Sequence, residues 1–279
     1  MEKKMDVNKI KRVEIFKDTM ERIENNAELA ALTKIAVAKT VLYGEDCVLP
    51  NADSVSDSVT AIIKVENKRT FEAARELDEK YNKVAVLNFA SGTNPGGGVV
   101  KGSNAQEECL CRTSNLFPCL NQPNLLDGYY GYHKRQGGWI YSDRIIYTPR
   151  VTVFKTDEKL PEYTEDWFQV GVISATAPNL RNLDKLSVKF SKIALKATIK
   201  SRIEKVLDVA IANGAEALVL GAWGCGAFKW PPLLVANAFD EVLSEKRYAH
   251  HFKEIVFAVL VIRDTDRENF DTFTKVLVK

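Results

Sequence analysis

The chain has 279 residues, 46% of them hydrophobic, which is enough to bury one large core or two modest ones. Lysine and arginine total 39 and aspartate and glutamate total 37, so the bulk charge does not indicate a nucleic-acid or membrane surface. The longest apolar run, at residues 255 to 262, is too short to span a bilayer, and residues 1 to 18 lack the apolar stretch of a signal peptide. We therefore expect a cytoplasmic protein that contacts no membrane, and we predict a monomer with no stable protein partner.

The first predicted elements are two helices at the N-terminus. Apolar residues recur there at intervals of three and four, at Ile10, Val13, Phe16, Met20 and Ile23. Such spacing places them on one face of an amphipathic helix. A second helix is predicted over residues 27 to 43, and Pro50 and a serine-rich patch then break the pattern. We place a boundary here: residues 1–52 form a helical extension packed on the core, and residues 53–279 form the main domain.

Beyond this boundary, short β-branched runs alternate with longer helical patterns. Strands are predicted at residues 59–65, 83–89, 144–154, 168–175, 217–221 and 255–262, and helices at residues 71–81 and 183–212, from Pro231, and in a short C-terminal segment. Gly214 is a typical stop for the long helix. Strands that read as continuous apolar runs belong to sheets covered on both faces. The sequence therefore predicts an α/β fold with a mixed β-sheet sandwiched between helices.

The densest chemical signal is a glycine-rich segment, residues 88 to 98, directly after a predicted strand. Its three final glycines allow close backbone approach to a ligand and positive φ angles. Gln106, Glu107 and Glu108 follow after seven residues, at the start of a helix predicted to continue through Leu116. Neighbouring side chains on a helix diverge by about 100°, so the two glutamates cannot share one task. Either one donates a proton in a cleft while the other binds the ligand, or the glycines form a tight turn and the carboxylates stabilise a helix N-terminus.

A second glycine-containing segment, residues 220 to 228, also follows a strand and precedes a helix. Its glycines can form a concavity of backbone N–H groups, for which phosphate or pyrophosphate is the natural ligand. The segment lacks the third glycine of a dinucleotide fingerprint, and no Gly-Lys-Ser/Thr follows it. A tight β-to-α turn is the alternative. A phosphotransferase would also need a metal-binding carboxylate and a phosphate lysine in register, which the pattern does not provide.

Other residues give weaker signals. Phe228 can stack on a ribose or a base. Residues 129 to 135 join three tyrosines to basic side chains, and either cap an anionic, base-containing substrate or pack as a surface loop. The three histidines form no metal or triad pattern. Cys109, Cys111 and Cys119 lack the spacing of a zinc site, so we expect reduced structural thiols and no metal.

Together, the two glycine-containing segments resemble those of a known family. The triple glycine at residues 96–98, seven intervening residues and the Gln-Glu-Glu at residues 106–108 are similar to the signature of poly(ADP-ribose) glycohydrolases. Residues 223–228 resemble the diphosphate loop of that family, and the likeness extends over most of the chain. The shortness of the chain and the wording of residues 88–98 resemble the bacterial type, which implies a macrodomain-like catalytic domain with an N-terminal helical extension.

The resemblance also implies roles for individual residues. Glu108 would be the catalytic acid/base, and Glu107 and Gln106 would hold the reacting ribose. The remaining substrate-binding residues that it implies are Asn94, Gly96, Gly97 and Gly98 in the same pocket, Gly224, Cys225, Gly226 and Ala227 around the pyrophosphate, and Phe228 against a ribose. Cleavage of the ribose–ribose bond passes through an oxocarbenium-like state in which the leaving oxygen is protonated, and it requires no metal or organic cofactor.

Two alternatives share this fold. A non-catalytic macrodomain would bind ADP-ribose without hydrolysing it, although a pure binding module has no need of a buried proton donor. A hydrolase of mono-ADP-ribosylated protein or nucleic acid would use the same chemistry, because the two segments do not specify the far side of the leaving group. The expected partners are therefore poly(ADP-ribose) or other ADP-ribosylated substrates, with ADP-ribose as the product ligand.

Overall fold

The computed structural model describes residues 7–49, 60–181, 191–245 and 248–279. The strands within these ranges are β1 (Val41–Tyr43), β2 (Ile62–Glu66), β3 (Val84–Phe89), β4 (Ile145–Lys155), β5 (Tyr163–Ala175), β6 (Ala217–Leu220) and β7 (Glu254–Ala258). They form one sheet in the order β1-β4-β5-β3-β6-β7-β2. The pairs β1/β4 and β4/β5 are antiparallel, whereas β5, β3, β6, β7 and β2 run parallel. The predicted mixed sheet is confirmed.

Helices cover both faces of this sheet. They are α1 (Val7–Asn25), α2 (Ala27–Ala38), α3 (Thr70–Asp78), α4 (Gln106–Thr113), α5 (Leu116–Leu120), α6 (Pro123–Leu125), α7 (Tyr132–Gln136), α8 (Lys192–Ala212), α9 (Pro232–Glu245) and α10 (Asp264–Leu277). Successive residues of β3 point to opposite faces, so Leu87 packs with α8, α9 and α10, whereas Val86 packs with α1, α3, α4 and α5. The predicted sandwich of a sheet between helices is therefore confirmed.

Helix α1 is fixed both to the sheet and to the segment that precedes α4. Lys155, at the end of β4, is buried and donates from Nζ to Thr19 Oγ1 at 2.8 Å. Thr19 Oγ1 donates to the carbonyl of Arg112 in α4 at 2.6 Å. Arg12 Nε donates to the carbonyl of Gly102 at 2.7 Å, just before α4. Helix α1 therefore supports α4 and the chain leading into it from behind.

The second predicted helix is too long. Helix α2 ends at Ala38, and Val41–Tyr43 form the edge strand β1, with Val41 opposite Tyr147 of β4. A β-branched and an aromatic residue fit a pleated surface well, and pairing with β4 outweighs a further turn of helix. The predicted boundary between residues 52 and 53 lies outside the described residues, as does the predicted start of the long helix at residue 183.

Two predictions in the middle of the chain are also corrected. The helix from Gln106 was expected to continue through Leu116, but α4 ends at Thr113 because Ser114 is extended and bonds back to the last turn through its hydroxyl. The surface-loop reading of residues 129 to 135 is wrong. This segment is a π-helical turn at Leu126–Gly131 followed by α7, and Tyr129 is fully buried.

The last strand is shorter than predicted. The apolar run to residue 262 leaves the sheet after Ala258: Val259 N makes a last hydrogen bond to Glu66 O of β2 at 2.9 Å, and Val261 N then donates to the side-chain Oδ1 of Asn67 at 2.8 Å. Residues 259 to 262 therefore pass over the end of the sheet. Leu260 and Ile262 line a cavity there, whereas Val259 lines it and also packs in the core.

Candidate active site

A cavity of about 330 Å³ opens at the carboxyl ends of the parallel strands. Open α/β sheets bind ligands in this crevice, because the loops that follow adjacent strands converge there. The walls include Thr70 after β2, Phe89 at the end of β3, Phe228 after β6 and Leu260 after β7. Both glycine-containing segments singled out from the sequence therefore meet at one place.

The triple glycine adopts a conformation that other residues avoid. Gly96 and Gly97 have φ angles of +63° and +59°. A Cβ at Gly97 would lie 2.6 Å from Glu108 Oε1 and 3.0 Å from Glu107 Oε2. Only glycine allows the backbone to approach both carboxyl groups this closely.

Glu108 is held at both oxygens by backbone N–H groups. Oε1 accepts from Gly98 N and Oε2 from Ala105 N, each at 2.8 Å. Glu108 is the third residue of α4, so its side chain turns back to cap the start of its own helix. The carboxyl group is thus fixed between the triple glycine and the N-terminus of α4.

Glu107 points toward the end of β3 instead. Its Oε2 accepts from Ser91 N at 2.7 Å, and Asn88 Nδ2 lies 3.4 Å from Oε1. The pKa of Glu107 is raised to about 8, chiefly by burial and also by the neighbouring Glu108, while the hydrogen bond from Ser91 opposes the shift. Glu107 is therefore mostly protonated at neutral pH. The two glutamates have different partners, as their divergence on the helix predicts, yet both contact Gly97.

Gln106 connects α4 to its surroundings and also lines the cavity. Its Oε1 accepts from Phe89 N at 2.8 Å, and its Nε2 donates to Leu87 O at 2.7 Å and to Thr70 Oγ1 at 3.1 Å. These contacts fix the start of α4 against β3 and α3. The sequence pattern did not predict this positioning role.

The segment after β6 presents backbone N–H groups to the cavity. Gly224 has a φ angle of +81°, and a Cβ there would lie 2.8 Å from the ring of Trp230. Within the described ranges, the N–H groups of Gly226, Ala227 and Phe228 donate to no acceptor. All three residues line the cavity. Such an array of N–H groups can bind a pyrophosphate.

Seven of the twelve candidate residues are not among those that line the cavity: Glu107, Glu108, Asn94, Gly96, Gly97, Gly98 and Cys225. The side chain of Cys225 packs against the core next to this segment, with Sγ 3.8 Å from Trp223 O. Asn94 is exposed, and its Nδ2 donates to Thr93 Oγ1 at 3.1 Å. Its carbonyl closes the glycine turn by accepting from Gly97 N at 3.0 Å.

Sequence reasoning missed the half of the cavity that lies beyond the two glycine-containing segments. This half is lined by Lys68 and Arg69 after β2, by Leu260 after β7, and by Asp266 and Asn269 of α10. No motif marks these residues. Their only signal was that they follow parallel strands, whose carboxyl ends form a common edge.

All five cysteines are free. Burial raises the pKa of Cys109, which lines the cavity, and that of Cys111 well above the usual value for a thiol. Among the described residues, no group of three or more histidine, cysteine, aspartate or glutamate side chains could hold a metal ion. None of the helices in the described ranges is long and apolar enough to cross a membrane.

Comparison with known proteins identifies the family. The family model for the microbial-type PARG catalytic domain matches residues 11–156, and a search of curated proteins found no match. Poly(ADP-ribose) glycohydrolase (PARG) from Thermomonospora curvata shares 32% sequence identity with this chain. Its crystal structure matches with a TM-score of 0.82 over 95% of this chain and 98% of that one. The structure of that enzyme with the inhibitor ADP-HPD is 31% identical, with a TM-score of 0.81 over the same shares.

A second organism provides a similar structure. The Deinococcus radiodurans poly(ADP-ribose) glycohydrolase in complex with ADP-ribose is 32% identical, with a TM-score of 0.77 over 87% of this chain and 95% of that one. The predicted family resemblance is therefore confirmed over nearly the whole chain. The protein belongs to the microbial-type poly(ADP-ribose) glycohydrolases, a family of enzymes with this catalytic domain.

Proposed function

We propose that this enzyme hydrolyses the ribose–ribose O-glycosidic bonds of poly(ADP-ribose) and releases ADP-ribose, with Glu108 as the acid/base. The observation that carries the proposal is the meeting of Glu107 and Glu108 at Gly97, at the start of α4, whose first residue, Gln106, lines a cavity that can hold a nucleotide. The relative from Deinococcus radiodurans binds ADP-ribose, which supports the same ligand for this chain.

The two glycine-containing segments suggest how the substrate is held. The pyrophosphate would bind the N–H groups of Gly226, Ala227 and Phe228, and the Phe228 ring would pack on a ribose. The distal ribose would then lie at Gly96–Gly98, where protonated Glu107 can donate a hydrogen bond to a ribose hydroxyl. Gln106 and Asn94 would keep α4 and the glycine turn in place around it.

The chemistry needs one group that gives a proton and takes one back. As the bond between the anomeric carbon and the leaving oxygen lengthens, Glu108 protonates that oxygen and the ribosyl carbon develops oxocarbenium character. Water then attacks this carbon, and Glu108 accepts the proton that the water loses. Such acid/base assistance accelerates a reaction by about 10²- to 10⁴-fold. Fixing the carboxyl group with two backbone N–H groups keeps it in one orientation for both steps.

The first test is release of ADP-ribose from poly(ADP-ribose) by the purified protein, followed by chromatography, with Glu108→Gln alongside. We expect release by the wild type and a loss of at least about a hundredfold in the variant, whose affinity for ADP-ribose should stay largely intact. Glu28→Gln, at an exposed position in the first turn of α2, is the matched control and should keep full activity.

The outcomes separate the remaining alternatives. Binding of ADP-ribose without release from any conjugate would make the protein a binding module. Faster turnover of mono-ADP-ribosylated protein or nucleic acid than of polymer would replace the proposed substrate. Equal activity of Glu108→Gln and wild type would remove Glu108 from the mechanism.

We also propose a setting for the enzyme. It would act in the cytoplasm as a monomer, with residues 1–52 as a helical extension of the catalytic domain at residues 53–279. The balanced charge of the chain and the packing of α1 against α4 support this arrangement. Its oligomeric state is measurable by light scattering, and a dimer would overturn that part.

A further inference from the structure

A second cavity, of about 340 Å³, opens beside the active site. Its walls carry three aromatic side chains, Tyr132, Trp139 and Tyr141, and its floor is the backbone of Gly137 and Gly138. A Cβ at either glycine would meet no atom within 4 Å, so the floor is open. We call this group of five residues the aromatic pocket.

Tyr141 is the wall that the aromatic pocket shares with the active site. A Cβ at Gly92 would lie 2.8 Å from Tyr141 Cδ1, so the tyrosine ring rests on the Gly92 backbone. Gly92 directly follows Ser91, whose N–H binds Glu107. On the other side, the Tyr141 ring centroid lies 6.4 Å from that of Phe228. One ring therefore separates the aromatic pocket from the residues proposed to hold the distal ribose.

The position of this wall is fixed by a buried histidine. His133 Nδ1 lies 3.0 Å from Gly92 O and His133 Nε2 lies 2.7 Å from Ser142 Oγ. Burial lowers the pKa of His133 to about 4, so the ring is neutral at physiological pH. Because Gly92 O can only accept, Nδ1 carries the proton and Nε2 accepts from the Ser142 hydroxyl. His133 thus connects the glycine-rich segment to the residue after Tyr141.

Backbone hydrogen bonds join the aromatic pocket to the proposed pyrophosphate-binding segment. Asn179 N donates to Trp139 O at 2.7 Å, and the next residue, Leu180, donates from N to Phe228 O at 2.9 Å. The segments that line the two cavities are therefore joined by backbone hydrogen bonds. A ligand that passes from one to the other crosses the Tyr141 and Phe228 rings.

We propose that the aromatic pocket binds the adenine base of the ADP-ribose unit on the leaving side of the scissile bond. The inference rests on the proposed function, because in the polymer the leaving oxygen belongs to the ribose of the next adenosine. Its base is thus one sugar away from Glu108, on the side away from the released ADP-ribose. Stacked aromatic rings are the usual platform for a nucleobase, and the Glu45 carboxylate on the rim can accept from its exocyclic amine.

The consequence is selectivity for polymer. A mono-conjugate carries no adenine on its leaving side, so it cannot use the aromatic pocket. The positive charge of Lys134, on the helix that precedes the aromatic pocket, suits the pyrophosphate that follows this base in the chain. Residues 129 to 135 do not line the first cavity, and the proposal gives them a role at its edge.

Binding to an inactive background tests this without depending on turnover. The ligands are ADP-ribose and a two-unit oligomer of ADP-ribose, and the proteins are Glu108→Gln alone, with Trp139→Ala, or with Tyr163→Ala. Tyr163 is a partly exposed tyrosine on β5, outside both cavities, and serves as the matched aromatic control. We expect Trp139→Ala to weaken oligomer binding about tenfold and to leave ADP-ribose binding unchanged. Tyr163→Ala should change neither.

A kinetic measurement completes the test. In the otherwise wild-type enzyme, Trp139→Ala should raise KM for the two-unit oligomer about tenfold with little change in kcat. Equal weakening of both ligands, no change in either, or the same effect from Tyr163→Ala would overturn the aromatic-pocket proposal. Failure of the wild type to release ADP-ribose from polymer would instead overturn the proposed function, and the binding comparison would show this separately.

Discussion

Substitution of Gly97 by alanine tests whether the triple glycine exists to admit the two glutamates. The substitution has two costs. A non-glycine residue in the left-handed region costs about 1–2 kcal/mol. The new Cβ would also lie 2.6 Å from Glu108 Oε1, which is already held by Gly98 N at 2.8 Å. Displacing that oxygen sacrifices a charge-assisted hydrogen bond, worth about 1.5–3 kcal/mol.

The two costs together predict that Gly97→Ala lowers the free energy of unfolding by about 2.5–5 kcal/mol. For a chain of this size, this corresponds to a decrease in Tm of roughly 10 °C by differential scanning calorimetry. Because the displaced oxygen belongs to the proposed acid/base residue, turnover of poly(ADP-ribose) should also fall about a hundredfold.

Two other alanine substitutions separate the contributions. Gly214→Ala, at a φ angle of +70°, meets only the flexible end of Lys83 at 3.2 Å and so measures the backbone cost alone. Gly44→Ala meets no atom within 4 Å and should be neutral. If Gly97→Ala lowers Tm no more than Gly214→Ala does and keeps its turnover of poly(ADP-ribose), the close approach to the glutamates does not explain the need for glycine at this position.

Two more predictions concern the neighbouring groups. The folded-state pKa of Glu107, about 8, lies above the ordinary 4.5. The unfolded chain therefore loses this proton first, and Glu107 lowers stability progressively as pH rises from 4.5 to 8. Glu107→Gln should remove that slope in urea titrations across this pH range, and parallel curves for variant and wild type would contradict it. Gly226→Val should fold normally, because a Cβ there meets open space, but its branched side chain enters the cavity and should weaken ADP-ribose binding at least about tenfold by calorimetry. Unchanged affinity would mean that the segment after β6 is only a turn.

The elements that position the site were readable from the sequence because each carries a local signal. The apolar runs of β3 and β6 predicted buried strands, and Gly214 ended α8 where a helix stop was expected. Gly96 and Gly97 also adopt the positive φ angles that the triple glycine was predicted to allow. Each of these predictions depends on residues close together in the chain.

What the sequence did not predict depends on distant contacts. Strand β1 exists because β4 offers it an edge, and the run after Ala258 leaves the sheet, with Val261 N donating to the Asn67 side chain instead of to a strand. The pKa of Glu107 likewise results from burial by segments far apart in sequence. His133 had no motif, because its two partners, Gly92 and Ser142, are defined only by the fold.

Helix α1 contributes no residue to the cavity wall and yet determines how the start of α4 is presented. Its Arg12 binds Gly102 and its Thr19 binds Arg112, on either side of the glutamates. A protease cut, a fusion point or a truncation within α1 would therefore impair catalysis while leaving every residue that lines the cavity in the chain. For protein engineering, we therefore expect the smallest active unit to include α1. Substitutions in this helix should change catalytic efficiency as well as solubility.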